Sequence, residues 1–340
     1  MPKRRLSLSL AAMTLSWLVI VLAADLLACR DKSSQAVRPV KIGYFANLSH
    51  AQAVLGVASG DFERAVSPAK IETKIFNAGP SLIEALFAGE IDIGYVGPGP
   101  ILSAHAKSGG KGIRVVAGAA ANGVIVVARK GSGIQTLADL AGKRVGTPQL
   151  GNTQDISARH YLSAVLKQAN VTNVVPVDNA EQAALFSRGE LEAAWVPEPW
   201  GQRLISETDA TLIAEEKDLW PSKKFLLTLV VTTPEFLAKR PDVVANVLRA
   251  HRAWTKRLTD DPDIYVGALG DALFSLTGKR LAGGILPVAI KRVRFVDEPD
   301  LETFRTFAAW KRDLGFDKDA VDLNGLVDTA ALERASVAAQ

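Results

Sequence analysis

Apolar and polar positions alternate over Val40-Lys41-Ile42-Gly43-Tyr44-Phe45, the period of a strand. Residues 51–59 then take on a helical spacing that ends near Gly60. Residues 71–76 predict a second strand. Gly79-Pro80-Ser81 opens a helix in which Ser81 and Glu84 read as a capping box. Ile83, Leu86 and Phe87 give that helix an apolar face, and Gly89 suits its C′ position. Residues 91–96 predict a strand, Gly97-Pro98-Gly99-Pro100 leads into another helix, and 115–118 and 124–128 are further strands. The grammar restarts after Lys130. Thr136 begins a short helix that Gly142 stops, and 145–147 is a strand. Asn152 caps a helix whose Ala158, Leu162, Val165, Leu166 and Ala169 share a face. Strand 173–177, a helix capped by Asn179, strand 193–196 and the β-branched run 225–232 follow. From Pro234 onward the pattern is almost wholly helical. Strands separated by helices of about ten residues predict an α/β architecture with mostly parallel sheets.

An internal echo divides this run in two. Residues 85–96 and 184–196 align, with one extra residue in the second, as helix, glycine stop, acidic turn and buried strand. Each copy ends in paired prolines, Pro98 and Pro100 in one and Pro197 and Pro199 in the other. Ligands of open α/β sheets sit outside the carboxyl ends of the strands. Two such ends facing each other would enclose a cleft.

Composition narrows the function classes. Across 340 residues, 48% are hydrophobic and 22% charged, enough for two medium domains with cores. The single cysteine excludes a disulfide scaffold or a multi-cysteine zinc site. The formal charge is +4; Lys3, Arg4, Arg5 and Asp25 carry +2 of it, which leaves +2 for residues 29–340, too little to indicate nucleic acid. Lys3-Arg4-Arg5, the uncharged run 6–24 and small residues before Cys29 predict an export signal over 1–28. Leu26-Leu27-Ala28-Cys29 resembles a bacterial lipobox, which implies lipidation of Cys29, with 29–39 as a polar tether.

Catalytic motifs are absent: no HExxH, GxSxG or GxxxxGK[ST] occurs. The histidines at 50, 105, 160 and 251 lack metal-ligand spacing, and His50 follows a strand end. The expectation is therefore a binding protein without catalytic residues, metal or cofactor. Three loops present helix N-termini after strands: Gly79-Pro80-Ser81, Gly97-Pro98-Gly99 and Gly151-Asn152-Thr153-Gln154. Unpaired N–H groups and the positive end of the helix dipole make such loops anion seats without any arginine. Trp195-Val196-Pro197-Glu198-Pro199-Trp200 adds rigid aromatics around an acidic turn. Trp195 and Trp200 would give a ligand apolar contact or pack at a hinge, with Trp200 in a helix core; Glu198 would meet a cationic group or hold a neighbouring backbone in place.

Residues 77–94, the run Leu137-Ala138-Asp139-Leu140-Ala141-Gly142-Lys143-Arg144, Gly151-Asn152-Thr153, Glu198-Pro199-Trp200 and 327–332 resemble the substrate-binding proteins of aliphatic sulfonate, taurine and nitrate ABC importers. The resemblance runs from about 40 to 335. It implies a type II periplasmic binding fold with two lobes, a cleft and two crossover strands. It also implies an anionic small-molecule solute, a permease with its ATPase as partners, a monomer, and no nucleic acid. The related branch that makes a thiamin pyrimidine carries a cysteine-rich motif, and this chain has no cysteine after Cys29. The expected organisation is lobe one over 40–128 and 225–335 and lobe two over 129–224, crossing near 126–129 and 225–232. Asn47, His50, Asn122 and Gly123 join the three loops as candidate ligand contacts. A ligand sensor and an extracytoplasmic enzyme of the same fold are the rival readings.

Overall fold

The computed structural model describes residues 38–337. The predicted signal, Cys29 and the tether up to residue 37 lie outside the described residues.

Eleven strands are described: β1 Val40–Phe45, β2 Ile71–Phe76, β3 Ile93–Val96, β4 Arg114–Asn122, β5 Val124–Ala128, β6 Val145–Thr147, β7 Val174–Pro176, β8 Ala193–Pro197, β9 Thr211–Glu215, β10 Leu226–Thr232 and β11 Val293–Phe295. They form a six-stranded sheet, β11-β4-β10-β3-β1-β2, and a five-stranded sheet, β7-β6-β8-β5-β9. β1 pairs in parallel with β2 and β3, whereas β10 is antiparallel to both β3 and β4. In the second sheet β6 is parallel to β7 and β8, and β5 is antiparallel to β8 and β9. The sheets are thus mixed rather than mostly parallel. The cause is exchange: β5 enters the second sheet directly from the first, and β10 returns, each running against its new neighbours.

That exchange moves the expected boundary. Val124–Ala128 belongs to the second sheet, not to lobe one. The chain crosses at Asn122 and Gly123, both left-handed at φ 63° and 76°. Only glycine, and asparagine at modest cost, takes that conformation readily, so this pair can reverse the chain between adjacent strands. The return falls before Leu226, where the Asn122 N–H donates to the Phe225 carbonyl and the Phe225 N–H to Asn122 Oδ1. β10 itself lies wholly in the first sheet.

Central strands are buried on both faces, so they lack clean alternation. Leu82 of helix Gly79–Phe87 drops onto the first sheet where Gly43 and Gly94 leave room; a Cβ on Gly94 would stand 2.7 Å from its Cδ2. Burying such a side chain stabilises by about 1.5–3 kcal/mol. The opposite face packs beneath helices Ala51–Ala58 and Pro241–Asp260. Helix Leu301–Asp313 sits against both Pro98–Lys107 and Thr153–His160, so one apolar core runs from sheet to sheet through Phe304 and Phe307.

The internal echo is structural. Gly89 and Gly189 both stop their helices at φ near 70°, at 70° and 73°. Asp92 then accepts the Lys41 N–H at 2.9 Å, and Glu192 accepts the Arg144 N–H at 3.0 Å. Each acidic turn ties its strand to the neighbouring one.

Several local expectations change. Helix Gly79–Phe87 starts at Gly79 with Ala78 at its N-cap, so Ser81 lies inside the first turn and caps nothing. Pro80 explains the earlier start, because proline is pre-set for the opening turn. Asn179 is no cap either; helix Gln182–Ser187 begins after Glu181. The helix from Thr153 widens into a π-turn over Tyr161–Val165, leaving Val165 54% exposed and Ala169 outside any helix. The edge strands β9 and β11 lie in stretches whose half-exposed or very short patterns gave no strand signal.

Candidate functional site

The carboxyl ends of β1, β2, β3, β6, β7 and β8 converge on one cavity. Its walls include Asn47, Ser49 and His50 after β1, Asn77 and Gly79 after β2, and Gly97 and Pro100 after β3. Asn152, Thr153, Gln154, Asn179 and Pro197 face them from the second half, and Thr228 of β10 joins at the side. The empty space is about 360 Å³, of which only about 20 Å³ admits the centre of a water molecule. That is room for one or two waters, so the two halves have closed on each other.

Contacts across the cleft account for this. Gly99 N–H reaches Thr153 Oγ1 at 3.4 Å, and a Cβ on Gly97 would stand 2.3 Å from the same oxygen. Asn77 Nδ2 donates to Asp178 Oδ2 at 2.9 Å. Trp200 Nε1 donates to Asn47 Oδ1 at 2.6 Å, and Leu48 N–H to the Glu198 carbonyl at 3.0 Å.

The chemistry of the wall follows from which atoms are already used. Indole N–H can only donate, so it holds Asn47 Oδ1 and leaves Nδ2 as a free donor. Asn152 Oδ1 accepts Asp155 N–H at 2.7 Å as the N-cap, which likewise frees its Nδ2. His50 Nδ1 accepts the Phe45 N–H at 3.3 Å, so the proton sits on Nε2. Burial pushes His50 down to about 3, and its ring stays neutral. Ser49, Gln154 and Thr228 are 2%, 6% and 1% exposed, and their side-chain polar groups make no hydrogen bond within the protein. None of the described residues lining this cavity carries a charge. The arrangement offers neutral donors, with the Gly79 and Thr153 helices adding backbone N–H groups and their dipoles.

The three predicted loops contribute unequally. Gly79, Gly97, Asn152, Thr153 and Gln154 line the cavity, as do Asn47 and His50. Helix Pro98–Lys107 offers little: Pro98 and Pro100 have no N–H, and the Gly99 N–H is engaged by Thr153. Pro80 and Gly151 border a separate groove beside Phe316. Ser81 Oγ meets Gln149 instead, at 3.4–3.5 Å. Asn122 and Gly123 form the crossover and do not line the cavity.

Two expected contacts are overturned. Trp195 is 1% exposed and donates to Glu216 Oε2 at 2.6 Å inside the second half, away from the cleft. Glu198 is fully buried; Oε1 meets Arg292 Nη1 at 2.6 Å and Oε2 accepts Gln202 N–H at 2.9 Å. Burial pushes its carboxyl above the ordinary range, and the Gln202 N–H and Arg292 draw it back only in part. With both oxygens engaged, Glu198 is a structural anion. Trp200 stays at the cleft, on the wall of an adjoining cavity.

Asn77, Asn179 and Thr228 are wall residues that the sequence reading missed. A signal existed for the first two: Asn47, Asn77, Asn152 and Asn179 each follow a parallel strand within five residues. Thr228 gave none, because a register shift in β10 between Leu226 and Leu229 re-aims it.

A two-sheet α/β body with a polar cleft at the strand ends and a double crossover defines the two-lobe binding-protein class. Residues 33–264 match the model of the NMT1-like family, and the chain belongs to that family. A Brucella abortus protein named as a binding protein is 26% identical over 213 residues, 62% of this chain and 64% of that protein. The chain thus spans just under two thirds of that relative. The taurine-binding periplasmic protein of Escherichia coli is 24% identical over 205 residues, 59% of this chain and 61% of its own. Among solved structures, the alkanesulfonate-binding protein SsuA from Xanthomonas axonopodis pv. citri, bound to MOPS, superposes with TM-score 0.66 at 21% identity. That match covers 89% of this chain and 99% of that one, and it shows the shared two-lobe fold.

Proposed function

We propose that this protein is the extracytoplasmic binding component of an ABC importer, holding a small oxyanion-bearing organic solute non-covalently between its halves and handing it to a permease. One observation carries the reading: side chains at least nine-tenths buried, neutral and with unused donors share a cavity at the strand ends. A permanent cation there would bind an anion tightly but leave an unpaired buried charge in the empty state, a large penalty. Dipoles and N–H groups avoid that penalty, and closing the lobes surrounds the anion with them. The names of the taurine- and alkanesulfonate-binding relatives agree with such a head group. His50 is neutral and its Nδ1 is taken by a backbone N–H, which argues for binding over acid–base chemistry. In this reading residues 1–28 export the chain and Cys29 anchors it as a lipoprotein on the periplasmic or cell-surface side, and the protein acts as a monomer.

The test is a thermal-shift and calorimetry panel of alkanesulfonates, aminoalkanesulfonates, nitrate and bicarbonate. A ligand at one hundred times its Kd should stabilise by about 2.7 kcal/mol. No shift with any oxyanion would overturn the reading. Cys29→Ser should release the protein from membranes, and continued association would indicate an uncleaved anchor.

A further inference from the structure

Three side chains that offer an N–H to the cavity are, taken alone, of either polarity. An asparagine amide can turn its oxygen or its nitrogen inward, and a neutral imidazole can carry its proton on either nitrogen. Here each is pinned by a neighbour that can only donate. The Asp155 N–H holds Asn152 Oδ1 at 2.7 Å, the Phe45 N–H holds His50 Nδ1 at 3.3 Å, and the Trp200 indole holds Asn47 Oδ1 at 2.6 Å. Two of the pins are backbone and the third is a side chain. We propose that this pinned trio selects head groups whose every oxygen is a bare acceptor, rejects those of equal charge that carry a proton of their own, and depends on Trp200 as the positioning residue for its third donor. It rests on the oxyanion reading of the same cavity.

Geometry assigns the role to Trp200. Asn47 follows β1, and Trp200 opens helix Trp200–Thr208 after β8, in the other sheet's half. The indole is 7% exposed, and its turn is held from several sides. The Glu198 N–H donates to the Gly123 carbonyl at 2.9 Å, and the Glu198 carbonyl accepts the Leu48 N–H at 3.0 Å. The Arg203 guanidinium lies over the indole, 5.7 Å from the ring centroid. With the turn so fixed, a flip of the Asn47 amide would set its Nδ2 against the indole N–H, two buried donors face to face. Chemistry supplies the consequence. An ionised sulfonate and a singly ionised phosphonate share shape and charge and differ by one O–H. Each sulfonate oxygen accepts a charge-assisted bond from a pinned N–H. The phosphonate hydroxyl oxygen is a weak acceptor and its proton meets no acceptor among the trio, so one such bond is forfeited. Ser49, Thr228 and Gln154 are unpinned and can follow either polarity, so the choice falls to the pinned three.

Calorimetry on the full chain compares methanesulfonate with methylphosphonate at about pH 5, under the second phosphate-type ionisation at about 6, so that each carries one charge and only the phosphonate an O–H. The sulfonate should bind about tenfold tighter, the worth of one charge-assisted hydrogen bond. Trp200→Phe keeps an aromatic ring beneath Arg203 and removes the N–H. It should weaken the sulfonate about tenfold and the phosphonate far less, because the released amide can turn its oxygen to the P–OH, and the ratio should fall to within about threefold. Asn47→Ser, whose hydroxyl follows either polarity, should lower the ratio alike and carries the test if Trp200→Phe does not fold. Adding Trp200→Phe to Asn47→Ser should leave the ratio unchanged. Equal affinities in the unmodified protein, or its ratio retained in Trp200→Phe, would overturn the polarity assignment alone. A further fall in the double variant would overturn the action of Trp200 through Asn47. Binding of neither compound, together with failure of the oxyanion panel, would instead remove the oxyanion reading on which the assignment stands.

Discussion

Gly97 shows how much one hydrogen atom decides. Its missing side chain lets Thr153 of the opposite half approach, and a methyl group there would meet Oγ1 at 2.3 Å, well inside contact distance. Gly97→Ala should therefore hinder closure: ligand affinity should fall at least tenfold, while the thermal unfolding of the empty protein shifts little. Calorimetry beside a Tm measurement separates the two, and unchanged affinity would show that closure does not bring these atoms together. Ser81 gives the opposite lesson. The S-x-x-E spacing is a real capping signature, yet with Pro80 in its opening turn the helix starts three residues early and the hydroxyl meets Gln149. Ser81→Ala should cost under about 0.5 kcal/mol, as at an ordinary partly exposed site, whereas Asn152→Ala, which removes a working N-cap, should cost about 1 kcal/mol. Denaturant melts of both variants check this, and a larger loss at Ser81 would restore it as a cap.

Among elements, the proline-locked turn after β8 is the one whose role changed most. Read along the chain it resembles a ligand-facing loop, with Glu198 presented between prolines. In three dimensions its carboxylate anchors Arg292, which arrives from just before β11 and also reaches Gln202 at 2.9 Å. An ion pair this buried does not imply net stability, but removing one partner strands the other. Arg292→Met should destabilise by about 3–5 kcal/mol, and the double variant with Glu198→Gln should recover part of that loss in a denaturant melt. Equal melting of the single and double variants would show that the pair is not coupled. No spacing in the sequence links positions 198 and 292, so this contact belongs to the packing of helix Ile285–Ala289, just before Arg292, onto helix Trp200–Thr208. The paired acidic turns at Asp92 and Glu192, by contrast, were legible, since each is local to a helix–glycine–strand unit.

For the whole molecule, buried titratable groups set the response to pH. Burial raises Glu216 to about 7 against the hydroxyl of Ser157 and the indole of Trp195. Between about 4.5 and 7 the unfolded chain has released this proton and the folded one keeps it, so stability falls as pH rises through that window. Burial lowers His50 to about 3 and His251 to about 4. Below about 6.5 the unfolded histidines take up protons that the folded ones refuse, so these two lose stability as pH falls. The two histidines thus favour higher pH and Glu216 lower pH, and these opposing slopes meet near neutrality. Glu216→Gln should gain Tm relative to the parent progressively from pH 4.5 to 7; a constant difference would mean Glu216 ionises normally.

The sequence by itself determined the alternation of strands and helices, the repeated helix–glycine–acidic turn–strand unit and the glycine-bearing strand ends, because periodicity, helix stops and turn chemistry act within a dozen residues. It could not assign β5 to its sheet, since an apolar strand buried on both faces reads the same in either. Nor could it separate Asn47 and Asn152, whose oxygens are pinned so that their amides can serve the cleft, from Glu198 and Trp195, whose polar groups are consumed inside. Only the tertiary structure decided those, because a polar atom is free or spent according to neighbours up to 153 positions away.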